Sequence, residues 1–91
     1  MTLPAFEIDG DRFDDFDGFI VEFNRGFCVH VGGDWRGNLD AFNDYLAWHE
    51  PGKCTIRWRN SDKSRRDLDS EWLTLMDLFR ENNEYVDLIL D

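Results

Sequence analysis

The chain has 91 residues, 42% hydrophobic and 15% aromatic, and carries a formal net charge of −10. This length suits one small domain spanning residues 1–91, and aromatics in such proportion bury enough area to exclude a disordered chain. An acidic surface repels phosphates, which sets aside direct DNA or RNA binding, and it attracts basic proteins instead.

Charge is unevenly spread, with eleven of the twenty acids but three of the ten bases in residues 1–50. No apolar run approaches the length of a membrane span, and Met1-Thr2-Leu3-Pro4 lacks the basic and apolar regions of a signal peptide. The chain therefore reads as cytoplasmic, with Cys28 and Cys54 reduced and packed as small hydrophobes.

Leu3 to Ile8 reads as a first strand, with Pro4, Phe6 and Ile8 alternating against Glu7. Asp9-Gly10-Asp11 ends it with turn chemistry. Asp14 or Asp15 caps a helix to about Arg25, whose buried stripe is Phe16, Phe19, Ile20 and Phe23. Gly26 to Gly33 forms a connection that is briefly extended. From Gly33 a loop of glycines, Asp34 and an exposed-looking Trp35 leads into a short helix that ends near Ala47 or Trp48. On that helix Leu39, Phe42 and Leu46 define a buried side, while Asp40, Asn43 and Asp44 share the opposite one.

Pro51-Gly52 gives a turn. Cys54 to Arg59 follows as a second strand, its Thr55, Arg57 and Arg59 side suggesting an edge position or a face covered by arginine stems. Ser61 caps a short helix to Leu68, and Asp69 or Ser70 caps a longer one striped by Trp72, Leu75, Met76 and Phe79. Asn82-Asn83 suits its end, since asparagine tolerates the left-handed conformation. Tyr85 to Leu90 is a final strand, apolar enough to be central or well covered. Strands separated by helices imply parallel pairing through right-handed crossovers. The fold class is α/β, a small three-stranded parallel sheet flanked by three to four helices.

Catalytic chemistry finds little support. Cys28 and His30, or His49 and Cys54, lack the close Cys-x-x-Cys spacing of a strong zinc site, and no glycine-rich phosphate cradle is present. Neither a metal nor a cofactor is implied, and the chain does not read as an enzyme. The basic cluster Arg57, Arg59, Lys63, Arg65 and Arg66 beside Trp58 resembles a single-strand nucleic-acid platform. It is better read as neutralising part of the acidic surface.

The acidic helix face stands out more. Asp40 and Asp44 repel at a cost of roughly 0.2–0.5 kcal/mol in an isolated helix. Trp35 and Trp48 lie at its two ends among further acids, and aromatic anchors among carboxylates suit an interface with a basic partner.

The segment Trp35-Arg36-Gly37-Asn38-Leu39-Asp40-Ala41-Phe42-Asn43-Asp44-Tyr45-Leu46 resembles the aromatic-Gly-x-Asn-Leu-Asp-Ala-Leu-x-Asp-x-Leu signature of the barstar-like family, intracellular inhibitors of ribonucleases. Here the glycine stands one place later. The likeness continues through Ile56-Arg57-Trp58-Arg59, Phe79-Arg80-Glu81 and Asp87-Leu88-Ile89-Leu90, although the central motif alone is specific.

The resemblance implies that Asp44 enters a ribonuclease active site in place of a substrate phosphate, with Asp40 and Glu81 as further acidic contacts. It implies that Trp48 and Glu50 touch the partner, and that Asp34, Trp35, Asn38 and Asn43 complete the surface. Asn43 stands where the family's best-known member has a tryptophan, and Asp34 falls near an interface tyrosine, so the target can differ. The implied partner is a basic ribonuclease or related toxin, bound one-to-one. Two other readings are an acidic nucleic-acid mimic that blocks a DNase or DNA-binding protein, and a non-inhibitory interaction domain on the same fold.

Overall fold

A computed structural model describes residues 4–47 and 53–91. The elements are β1 (Ala5–Asp9), α1 (Phe16–Gly26), α2 (Leu39–Ala47), β2 (Cys54–Arg59), α3 (Ser61–Leu68), α4 (Ser70–Glu81) and β3 (Val86–Leu90), with short 3-10 turns at Gly10–Arg12 and Cys28–Val31. This is the expected α/β order. The connection expected to be briefly extended is instead the second 3-10 turn, closed by Gly32 at φ +85°. Leu3, at the start of the predicted first strand, and the Pro51-Gly52 turn lie outside the described residues.

Local signals set most boundaries. Asp9 accepts from the Asp11 N–H at 2.9 Å and closes the turn after β1. Asp15 accepts from the Gly18 N–H at 2.8 Å and caps α1. Two expected caps work differently. Ser61 is the first residue of α3, and its hydroxyl donates to the Asp91 carbonyl at 2.9 Å. Asp69 precedes α4 at φ +51° without a side-chain capping bond. The left-handed backbone expected near Asn82 occurs instead at Asn60, also at φ +51°.

The sheet is wholly parallel in the order β1-β2-β3. Right-handed crossovers that always step in one direction place every helix on the same face. Ile8, Cys54, Ile56, Trp58 and Val86 are buried on that side. Glu7, Arg57, Arg59, Asp87 and Ile89 remain exposed on the other. This arrangement decides one expectation and corrects another. β2 is the central strand, so its polar side marks a face lined by arginine stems and not an edge position. β3, expected to be central or well covered, is an edge strand with Ile89 39% and Leu90 47% exposed.

The core is chiefly aromatic. Phe19 stacks on Trp58 with centroids 5.1 Å apart, Phe23 meets Phe42 at 4.7 Å, and Trp58 meets Trp72 edge-on at 5.0 Å. Such pairs add directional preference to area burial. The predicted stripes of α1 and α4 supply this core through Phe19, Phe23, Trp72, Leu75 and Phe79. One buried acid also lies on α1. Glu22 accepts from the Asp9 N–H at 2.7 Å and pairs with Arg12 and Arg25, so its burial leaves no charge uncompensated.

Candidate partner-binding groove

The loop before α2 is held from beneath. The Asn24 side chain accepts from the Trp35 N–H and donates to the Trp35 carbonyl, both at 2.6 Å. The Trp35 indole packs against Phe16, Phe19, Phe23 and Phe42, and its N–H donates to the Asn38 carbonyl at 2.6 Å. Trp35 is therefore 1% exposed, which corrects its expected exposure. An indole with aromatic neighbours and its polar atom satisfied gains nothing from water. It holds the loop instead of presenting an anchor. Above it, the Asp34 N–H donates to the Tyr45 hydroxyl at 2.9 Å. The exposed Asp34 carboxylate lies 3.3 Å from Arg36.

Asn38 starts α2. Its side-chain oxygen accepts from the Asp40 N–H at 2.8 Å and from the Ala41 N–H at 3.2 Å, the pattern of an N-cap. Phe42 and Leu46 point into the core as expected. Leu39, expected beside them, is 40% exposed at the first turn, where it lines a groove with Thr74 and Leu78.

The other side of α2 meets α4 across a groove of about 480 Å³. Asp40, Asn43 and Asp44 line it from α2, and Glu81 lines it from α4. Asp40, Asp44 and Glu81 are exposed, and none has an ion-pair partner among the described residues. Asn43 is half-buried and accepts from Asn82 Nδ2 at 2.7 Å; the same nitrogen donates to the Leu78 carbonyl at 2.8 Å. Asn82 is 5% exposed and ties the two walls together just past the end of α4. Sequence reasoning missed both asparagine clasps, Asn24 and Asn82. Asn24 did carry a signal, since an asparagine inside a helix commonly bonds nearby backbone. Trp48, Glu50 and His49 lie outside the described residues.

The remaining chemistry is structural. Burial pushes the Cys28 thiol up to about 12 and the Cys54 thiol up to about 11. No group of three or more His, Cys, Asp or Glu is placed to hold a metal among the described residues. Three members of the basic cluster make neutralising contacts. Arg57 pairs with Asp91 at 3.0 Å, Arg59 with Glu7 at 3.6 Å, and Lys63 with Asp14 at 2.8 Å and Asp67 at 2.7 Å. Trp58, fully buried with its N–H donating to Ser64 at 3.0 Å, presents no stacking surface to a base. No helix among the described residues is long and apolar enough to cross a membrane.

Comparison with curated proteins gives no match. The family model described as Barstar (barnase inhibitor) matches residues 3–88. That family consists of inhibitors, not enzymes, and its members bind barnase-like ribonucleases. With a match running nearly end to end, the chain belongs to the barstar (barnase inhibitor) family.

Proposed function

We propose that this chain inhibits a basic ribonuclease in the cytoplasm, binding one-to-one and covering the enzyme's active site with the α2–α4 groove. The observation that carries this reading is the convergence of Asp40, Asp44 and Glu81 from two helices, with no cation lining the groove among the described residues. Side chains that arrange themselves around a phosphate also accept a carboxylate, since both are compact anions with oxygens for charge-assisted bonds. Asp44 takes the phosphate's place, with Asp40 and Glu81 beside it. Asp34, Asn38 and Asn43 border this surface, and Trp48 and Glu50 extend it by family resemblance. Trp35 acts from below by holding the loop.

A distributed nucleic-acid mimic is less well supported, because several of the N-terminal acids outside the groove are engaged internally. Asp9 caps a turn, Asp11 accepts from Asn60 at 2.6 Å, and Asp14 pairs with Lys63. The test is calorimetric titration of a barnase-type ribonuclease with the wild-type chain and with Asp44→Ala. A large loss of affinity in the variant is expected. Equal affinity in the two would sink the assignment of Asp44, whereas similar small losses from each surface acid in turn would favour the mimic.

A further inference from the structure

The two outer edges of the sheet are treated differently. Along β1, Gly26 of α1 lies so close to the Glu7 carbonyl that any side chain there would collide with it. The Asp9 N–H is taken by the buried Glu22 carboxylate. Among the described residues no strand lies beyond β3. The Tyr85 carbonyl accepts from Cys54 and the Asp91 N–H donates to Trp58. By the alternation of a strand, the backbone groups of Leu88 and Leu90 then face outward. Such an edge is a template for another strand. Its Leu88-Ile89-Leu90 run contains neither proline nor lysine, and the flanking Asp87 and Asp91 are each neutralised at 3.0 Å, by Lys53 and Arg57.

A groove of about 730 Å³ runs beside this edge over Trp72, Met76 and Phe79. Both of its ends carry charged residues. The Ser61 N–H and hydroxyl both donate to the Asp91 carbonyl, so Asp62 and Arg65 of α3 stand at the end of β3. Arg80 and Asp87 stand at its beginning.

We propose that the occupant of this edge is β3 of a second copy of the chain, paired antiparallel about a two-fold axis at Leu88. In that register Val86 lies opposite the second copy's Leu90, and Leu88 lies opposite itself. Centring on Asp87 or Ile89 would set aspartates against aspartates, which cross-strand pairing disfavours. Reversing the strand also brings Asp62 of each copy to Arg80 of the other, a complementary contact made twice; Arg80 bonds Asp77 of its own helix through one nitrogen and keeps further N–H donors free. Arg80 lines this groove while its neighbour Glu81 lines the α2–α4 groove, so pairing leaves the proposed inhibitory surface open.

Sedimentation velocity of the intact chain from micromolar to millimolar concentration, with circular dichroism to verify folding, tests the pairing. The wild type should shift from monomer to dimer. Leu90→Lys, at an exposed position, should weaken dimerisation about tenfold or more, because the symmetry loses two cross-strand pairs at once. Asp62→Arg should weaken it as well, and adding Arg80→Asp in the same chain should restore it. A wild type that stays monomeric throughout the range, as expected if the edge takes a partner's peptide instead, overturns the proposal. So does a dimer indifferent to Leu90→Lys, or a charge swap that does not recover.

Discussion

The two sides of α2 serve different ends. Phe42 and Leu46 are fully buried against the aromatic core, so their contribution is to stability. Asp40 and Asp44 stand in water one turn apart, with no ion-pair partner among the described residues and with a repulsion that the isolated fold would do better without. One nine-residue helix thus carries a face that holds the fold and a face that weakens it slightly. Stability and recognition should therefore respond to different substitutions, a separation that can be attacked from either side.

The largest effect should come from the inner face. Phe42→Ala removes a ring packed against Phe23, Trp35 and Phe79, and is expected to destabilise by about 3–5 kcal/mol in urea unfolding. A loss below about 1 kcal/mol, well under the range for buried phenylalanines, would mean that α2 is not anchored as described.

On the outer face, Asp44→Ala should lower affinity for a barnase-type ribonuclease by at least about 2 kcal/mol, a threshold adopted from interfaces that include barnase–barstar itself. The same variant should unfold at equal or slightly higher urea, by about 0.2–0.5 kcal/mol, because the repulsion with Asp40 disappears. Loss of binding together with a gain in stability is the sharpest form of the contrast; loss of both would dissolve it.

Asn38→Ala lies between the two faces. It removes the cap that begins α2 and should cost about 1 kcal/mol of stability. Asn38→Asp should recover most of that, which a thermal melt of the pair would show.

A further effect is pH-dependent and belongs to the inner side. Burial pushes the Cys28 thiol from its ordinary 9.0 up to about 12. The folded chain therefore keeps this proton where the unfolded chain releases it. Stability is unaffected below about pH 9 and falls as pH climbs from there towards about 12. The urea midpoint should drop less steeply between pH 8.5 and 10.5 (roughly the span across the unfolded thiol's pKa) in Cys28→Ala than in wild type. Identical slopes would show that the thiol reaches water in the folded state.

Features that depend on neighbours in sequence were readable in advance. The stripes of α1 and α4, the Asp15 cap and the shared face of Asp40, Asn43 and Asp44 all follow from spacing along a helix. What depended on distant neighbours was not. Trp35 lies in a loop beside glycines and an aspartate, which locally suggests exposure, yet α1 and α2 together enclose it. The apolar run of β3 suggested a central or well-covered strand, yet it lies at the edge, because apolar content along a strand reports how many faces are covered and not its place in the sheet; for β2 the arginine-lined face was the alternative that held. The Asn43–Asn82 bond joins residues 39 apart, beyond the reach of any helical period. For the acidic groove, spacing supplied one wall, and the family resemblance supplied Glu81 on the other.

The covering of the β1 edge has a consequence for growth. In polymer terms a sheet with two free edges is bifunctional, and each addition leaves a new reactive end. With Glu22 taking the Asp9 N–H and Gly26 pressed on the Glu7 carbonyl, the β1 side is partly blocked and β3 is the more reactive end. Edge pairing through β3 would therefore favour closed pairs over longer chains, so crowding should raise the fraction of pairs before it lengthens any of them into a fibre.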